Sequence, residues 1–72
     1  MKIVSWNVNS VRAREPLLQL LIEKENPDIL CLQELKTEDK NIINDFFKSN
    51  GYENISATQK AYNGVAIGYK NQ

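Results

Sequence analysis

Residues 27–36 read Pro27-Asp28-Ile29-Leu30-Cys31-Leu32-Gln33-Glu34-Leu35-Lys36. Within them, residues 28–33 form a short and nearly unbroken apolar run. Such a run suits a strand covered on both faces, as in a parallel sheet with helices over it. Just before it, Asn26-Pro27 marks a stop, because the residue ahead of a proline avoids the helical region. Upstream of that stop, Leu17, Leu18, Leu21 and Ile22 recur at helical spacing and predict a helix over 16–25 with one buried stripe. Pro16 suits the first helical position, with Glu15 beside it near the positive end of the dipole. Residues 2–8 are β-branched and aromatic and predict a strand, closed by Asn9-Ser10. Strand, helix and strand make a βαβ unit, whose crossover should be right-handed.

The pattern continues downstream. Residues 39–49 predict a second helix, with Asp39 as N-cap and Gly51 as the C-terminal stop. Ile42, Ile43, Phe46 and Phe47 form its apolar face. Residues 52–58 and 64–70 predict two strands in a hairpin, with Asn63-Gly64 as a turn signal. The class is therefore α/β, in the order β-α-β-α-β-β. No repeat, low-complexity tract or linker interrupts it, and the predicted order ends on a strand.

Composition narrows the chemistry. The chain has 72 residues, no His and one Cys. A zinc finger, a disulfide scaffold and a histidine base within this chain are all excluded. At 42% hydrophobic and 25% charged, the chain is not disordered by composition. Nine Lys+Arg balance nine Asp+Glu, yet the charges are unevenly placed. Residues 1–14 carry +3, residues 15–53 carry −5 and residues 54–72 carry +2. Two basic segments meeting on one face would attract an anion such as phosphate; the plainer reading is ordinary surface patterning. No signal peptide or membrane span is apparent, and a lone cysteine fits a reducing compartment, so a cytoplasmic protein with no membrane partner is expected.

Parallel strands gather ligands beyond their carboxyl ends. Strand one ends near Asn7 and strand two at Gln33-Glu34, so an amide, a carboxylate and Lys36 should share one rim. One carboxylate with waters and a substrate phosphate is a normal Mg²⁺ arrangement. The plainer reading of Glu34 is a helix cap or a surface charge. Trp6 and the Ile42/Phe46 face read as packing, and Cys31 as a small buried apolar residue.

Here the residues themselves carry a resemblance. Ser5-Trp6-Asn7-Val8-Asn9-Ser10-Val11-Arg12-Ala13 and Pro27-Asp28-Ile29-Leu30-Cys31-Leu32-Gln33-Glu34-Leu35-Lys36 resemble the two opening motifs of the exonuclease III family of apurinic/apyrimidinic endonucleases, within the endonuclease/exonuclease/phosphatase superfamily. Gln59-Lys60-Ala61-Tyr62-Asn63-Gly64-Val65-Ala66 is similar to a third family segment. The resemblance implies a two-sheet α/β sandwich with outer helices, of which residues 1–72 are the N-terminal portion, the C-terminal part being absent. It implies that Glu34 binds metal and that Asn7 helps hold the metal and phosphate network. Asn9 lies near the metal, and Lys36 supports the acidic cluster from behind. Arg12 and Ala13 match a DNA-contacting turn, and Lys60 and Tyr62 a loop that approaches the DNA backbone. Ser10 stands where the family usually has glycine, and Ala61-Tyr62-Asn63 departs from a glycine-containing loop.

The implied activity is DNA repair: Mg²⁺-dependent phosphodiester hydrolysis at abasic sites, and 3′-to-5′ trimming of duplex DNA, with Mn²⁺ as an alternative ion. The implied partners are double-stranded DNA with abasic or 3′-blocked sites and the remaining C-terminal half of the fold. Two competing readings stand beside it. One is a superfamily phosphoesterase acting on another phosphate ester, such as a lipid or inositol phosphate. The other is a non-catalytic truncated fragment, and the 72 residues alone are expected to be inactive.

Overall fold

A computed structural model describes residues 1–58 and 63–70. In chain order the elements are β1 (Ile3–Asn7), α1 (Val11–Glu25), β2 (Ile29–Gln33), α2 (Lys40–Ser49), β3 (Tyr52–Ala57) and β4 (Val65–Lys70). The six expected elements are all present, in the expected order. The strands form one sheet in the order β1-β2-β4-β3. β1 and β2 are parallel, with Ile3 opposite Ile29 and Asn7 opposite Gln33. β4 runs antiparallel to both β2 and β3, so β3 and β4 form the expected antiparallel pair.

Both helices pack on one face of the sheet. Leu18 and Ile22 of α1 and Ile43, Phe46 and Phe47 of α2 share a single core with Leu30, Leu32, Tyr52 and Ala66. Gln19 Nε2 donates to Asn50 Oδ1 at 2.9 Å and ties α1 to the end of α2. Phe47 lies against Gly68: a β-carbon there would fall 2.1 Å from the ring. The Tyr52 hydroxyl, buried beneath this layer, donates to the Pro27 carbonyl. Burial and the nearby Asp28 carboxylate push its phenol pKa up.

Three expectations are corrected. Helix α1 begins at Val11, not at residue 16. Ser10 caps it by accepting from Ala13 N–H at 3.3 Å, so Pro16 sits inside the helix and deletes one internal bond. Glu15 is accordingly not in the first turn. The α1 stripe is also shifted: Val11, Leu18 and Ile22 are buried, whereas Leu17 is exposed. Strand β2 is covered on one face only, because both helices lie on the same side; Leu30 and Leu32 are buried while Ile29, Cys31 and Gln33 are half-exposed. The Asn63-Gly64 turn signal stands in the link just ahead of β4, and residues 59–62 of that link lie outside the described residues.

The uncovered face is apolar. In register across the sheet it presents Ile3, Ile29 and Tyr69, then Cys31, Ile67 and Ile55. Ile55 is 68% exposed and Ile3 60%.

Candidate active site

Because β1 and β2 are parallel and in register, their carboxyl ends lie side by side. Asn7 is the last residue of β1, and Glu34 follows the last residue of β2. The expected meeting takes place: Asn7 Nδ2 donates to Glu34 Oε2. Asn9 N–H donates to Asn7 Oδ1 at 3.2 Å, which turns the amide nitrogen toward the carboxylate. Lys36 Nζ donates to Asn9 Oδ1. Asn7, Asn9, Glu34 and Lys36 are thus one hydrogen-bonded chain across two turns.

The backbone at this rim is unusual. Asn9, Ser10, Glu34 and Lys36 all have positive φ, at 48°, 92°, 53° and 55°. Such conformations cost about 1–3 kcal/mol each for a residue other than glycine and persist only where the surroundings enforce them. The parallel ladder supplies part of that enforcement beyond the strand ends. Val8 N–H donates to Gln33 O at 3.0 Å, Ser10 N–H to Glu34 O at 2.9 Å and Val11 N–H to Leu35 O at 3.0 Å. Val8 and Leu35 are fully buried beneath the turns and hold them to the core.

Arg12 and Ala13 are exposed on the first turn of α1, directly after Ser10. Lys60 and Tyr62 lie outside the described residues. The basic segments do not all converge here. Lys2 pairs with Glu25 at 3.2 Å, and Lys70 bonds Asn26 and stands 5.8 Å from the Tyr52 ring centre. Both sit at the opposite end of the sheet, so of the described cations in the two basic segments only Arg12 and Arg14, on the first turn of α1, remain on the side of the rim.

A cleft of about 420 Å³ opens beside Glu34, lined by Gln33, Glu34, Ala57, Asn63, Gly64 and Val65. The Gln33 side-chain amide, to which the residue pattern gave no role beyond ending the strand, donates to Ser5 Oγ at 3.0 Å. A larger groove of about 830 Å³ runs between β1 and the second half of α1, but no residue of the Asn7–Glu34 network lines it. Among the described residues no three Asp, Glu, Cys or His side chains come together. Toward a divalent cation the rim offers one carboxylate and amide oxygens. These are hard donors of the kind Mg²⁺ takes when waters and a phosphate complete its shell.

The chain is similar to known proteins along nearly its whole length. The chain is 39% identical over 67 residues to an exodeoxyribonuclease III from Haemophilus influenzae, a match covering 93% of this chain and 25% of that protein. Among solved structures it superposes on a 3′ phosphatase from Neisseria bound to a product DNA hairpin, with a TM-score of 0.88 and 43% identity over 97% of this chain and 27% of that one. An AP endonuclease from Archaeoglobus fulgidus matches with a TM-score of 0.86 and 36% identity, over 100% of this chain and 28% of that one. The chain therefore spans about a quarter of the length of these relatives. The pattern of the endonuclease/exonuclease/phosphatase family matches residues 4–72, and the chain belongs to that family.

Proposed function

We propose that the chain is the N-terminal part of a DNA repair nuclease that uses Mg²⁺, or Mn²⁺, to hydrolyse phosphodiesters at abasic sites and to trim 3′ ends of duplex DNA. The observation that carries this reading is the Asn7–Glu34 contact at the joined ends of β1 and β2. The names of the relatives support nuclease chemistry, and the DNA hairpin held by the Neisseria protein supports DNA as the polymer.

Each residue then has a task. Glu34 holds the ion through its carboxylate, with the Asn7 amide fixing the direction of that carboxylate. When bound, the ion polarises the scissile phosphate and stabilises charge on the leaving oxygen. Lys36, bonded to Asn9, keeps the two turns together, and its amine adds positive charge behind the carboxylate. Arg12, the Ala13 turn, Lys60 and Tyr62 grip DNA phosphates, which position the duplex without reading its sequence. The group that activates the attacking water comes from outside these 72 residues, which contain no His. The rest of the fold covers the open apolar face of the sheet as a second layer. A reducing cytoplasm suits the single thiol of Cys31.

The test is nicking of an abasic duplex by the complete protein that carries this chain. Cleavage should require Mg²⁺, stop with EDTA and fall about a hundredfold or more in Glu34→Gln. Cleavage insensitive to both EDTA and Glu34→Gln overturns the metal assignment. The 72 residues alone should show no turnover.

A further inference from the structure

The turn that carries Glu34 is held from two sides, and only one is the β1–β2 ladder. On the other side Leu35 N–H donates to the Gly64 carbonyl and Lys36 N–H to the Asn63 carbonyl, both at 3.2 Å. These bonds extend the β2–β4 pairing past Gln33 and Val65, where the strands themselves end. They grip the two residues that follow Glu34. Leu35 plugs the turn into the core, and Glu34 and Lys36 flank it in left-handed backbone. Gly64 is itself buried at φ 116°. A β-carbon on it would lie 3.2 Å from Leu35 Cβ and 3.5 Å from the Ala57 carbonyl oxygen. Glycine is thus required both by the backbone angle and by the closeness of Leu35.

We propose that Asn63-Gly64 is a backbone strut for the acidic turn: its two carbonyls hold Leu35 and Lys36, and thereby set the Glu34 carboxylate against Asn7 and the Lys36 amine against Asn9. Gly64 and Asn63 are positioning residues, acting through main-chain atoms and touching neither ion nor phosphate. Left-handed residues relax when their restraints are removed. Without the strut the 34–36 turn is held from the α1 side alone, and the carboxylate loses its fixed direction. The consequence for ion binding rests on the nuclease reading above, whereas the strut itself does not.

Nuclear magnetic resonance on the complete protein that carries this chain separates the two. Three variants are compared with the parent. Gly64→Ala forces the strut apart. An ester in place of the Leu35 amide, introduced by ligating a synthetic N-terminal segment, deletes the N–H that donates to the Gly64 carbonyl while leaving every side chain intact. Gly51→Ala is the control, since Gly51 also has positive φ but stands in open space after α2. Three readouts are taken: Lys36 amide hydrogen exchange, the Asn7 side-chain amide signal, and Mn²⁺ titration followed by broadening near Glu34.

The Leu35 ester and Gly64→Ala should both speed Lys36 exchange about tenfold. Both should move the Asn7 amide signal toward that of a free amide and weaken Mn²⁺ about tenfold. Gly51→Ala should lower the melting temperature and leave all three readouts unchanged. Should Gly64→Ala fail to fold, the ester variant decides. Parent-like Lys36 exchange and Asn7 signal in the folded ester variant overturn the strut, as does the same change in Gly51→Ala. A parent chain that Mn²⁺ does not broaden near Glu34 counts against the metal reading instead, and the strut is then decided by exchange and the Asn7 signal.

Discussion

Ser10 combines a useful side chain with a poor backbone. Its hydroxyl caps α1, but its φ of 92° is one that glycine adopts freely and serine does not. A Ser-to-Gly change at an N-cap costs only a few tenths of a kcal/mol, whereas relief of such backbone strain returns about 1–3 kcal/mol. Ser10→Gly should therefore raise the melting temperature by a few degrees, and Ser10→Ala, which keeps the strain and loses the cap, should lower it. A Ser10→Gly chain that melts below the parent refutes this reading. Tyr52 gives a pH-dependent counterpart. Its raised pKa means that the folded chain holds the phenol proton more tightly than the unfolded chain. That stability is fully present below about pH 10, the ordinary phenol range. It is lost as pH rises from there toward the folded pKa. Asp28 and the Lys70 amine are the charged groups facing the ring. Tyr52→Phe should cost about 1–3 kcal/mol at pH 8 by stranding the Pro27 carbonyl. The gap to the parent should narrow above pH 10 in thermal melts; a constant gap would show that the phenol proton is not involved.

At the scale of elements, the placement of α2 depends on a missing side chain in β4. Phe47 is fully buried, meets Phe46 edge-on at 5.5 Å and Tyr52 at 6.1 Å, and occupies the space over Gly68. Rings on both sides leave it little room to retreat. Gly68→Ala should overpack this contact and destabilise by about 1–3 kcal/mol, read as a lowered urea midpoint. An unchanged midpoint would mean that α2 can slide over the sheet. Helix α1 shows how local signals compete. Pro16 is a strong mark of a helix start, yet the Ser10 cap and the burial of Val11 carry the helix five residues further upstream. Nothing in the local pattern ranks a serine cap above a proline; the packing of Val11 beneath the rim does.

For the molecule as a whole, the decisive feature is a sheet with helices on one side and bare apolar side chains on the other. Ile3, Ile55, Val65, Ile67 and Tyr69 together make a patch of the kind that drives association. β1 and β3 add two open edges. The 72 residues in isolation should associate in a concentration-dependent way. Sedimentation velocity should show the parent shifting to larger species with concentration, and the pair Ile55→Lys with Ile67→Glu shifting less. A parent chain that stays monomeric at all concentrations would mean that the face is inert.

The order of elements was legible in the residues alone, as was the gathering of Asn7, Glu34 and Lys36 at one rim. Each rests on a short-range pattern: a β-branched run, an apolar run, helical spacing, and a rule that puts the ends of parallel strands together. The rest emerged with the packing of the folded chain. Which face of β2 is covered depends on both helices lying on one side, and the run Ile29-Leu30-Cys31-Leu32 reads the same whichever face is bare. Lys2 and Lys70 look like part of a basic cluster until the register places them at the far end of the sheet. The bracing of Glu34 by Asn63 and Gly64 uses main-chain carbonyls, which every residue carries, so it leaves only a glycine as its trace. Side-chain chemistry is written in the sequence. Main-chain bonds between distant segments come into being only when the chain folds and brings Leu35 N–H to the carbonyl of Gly64, 29 residues on and 3.2 Å away.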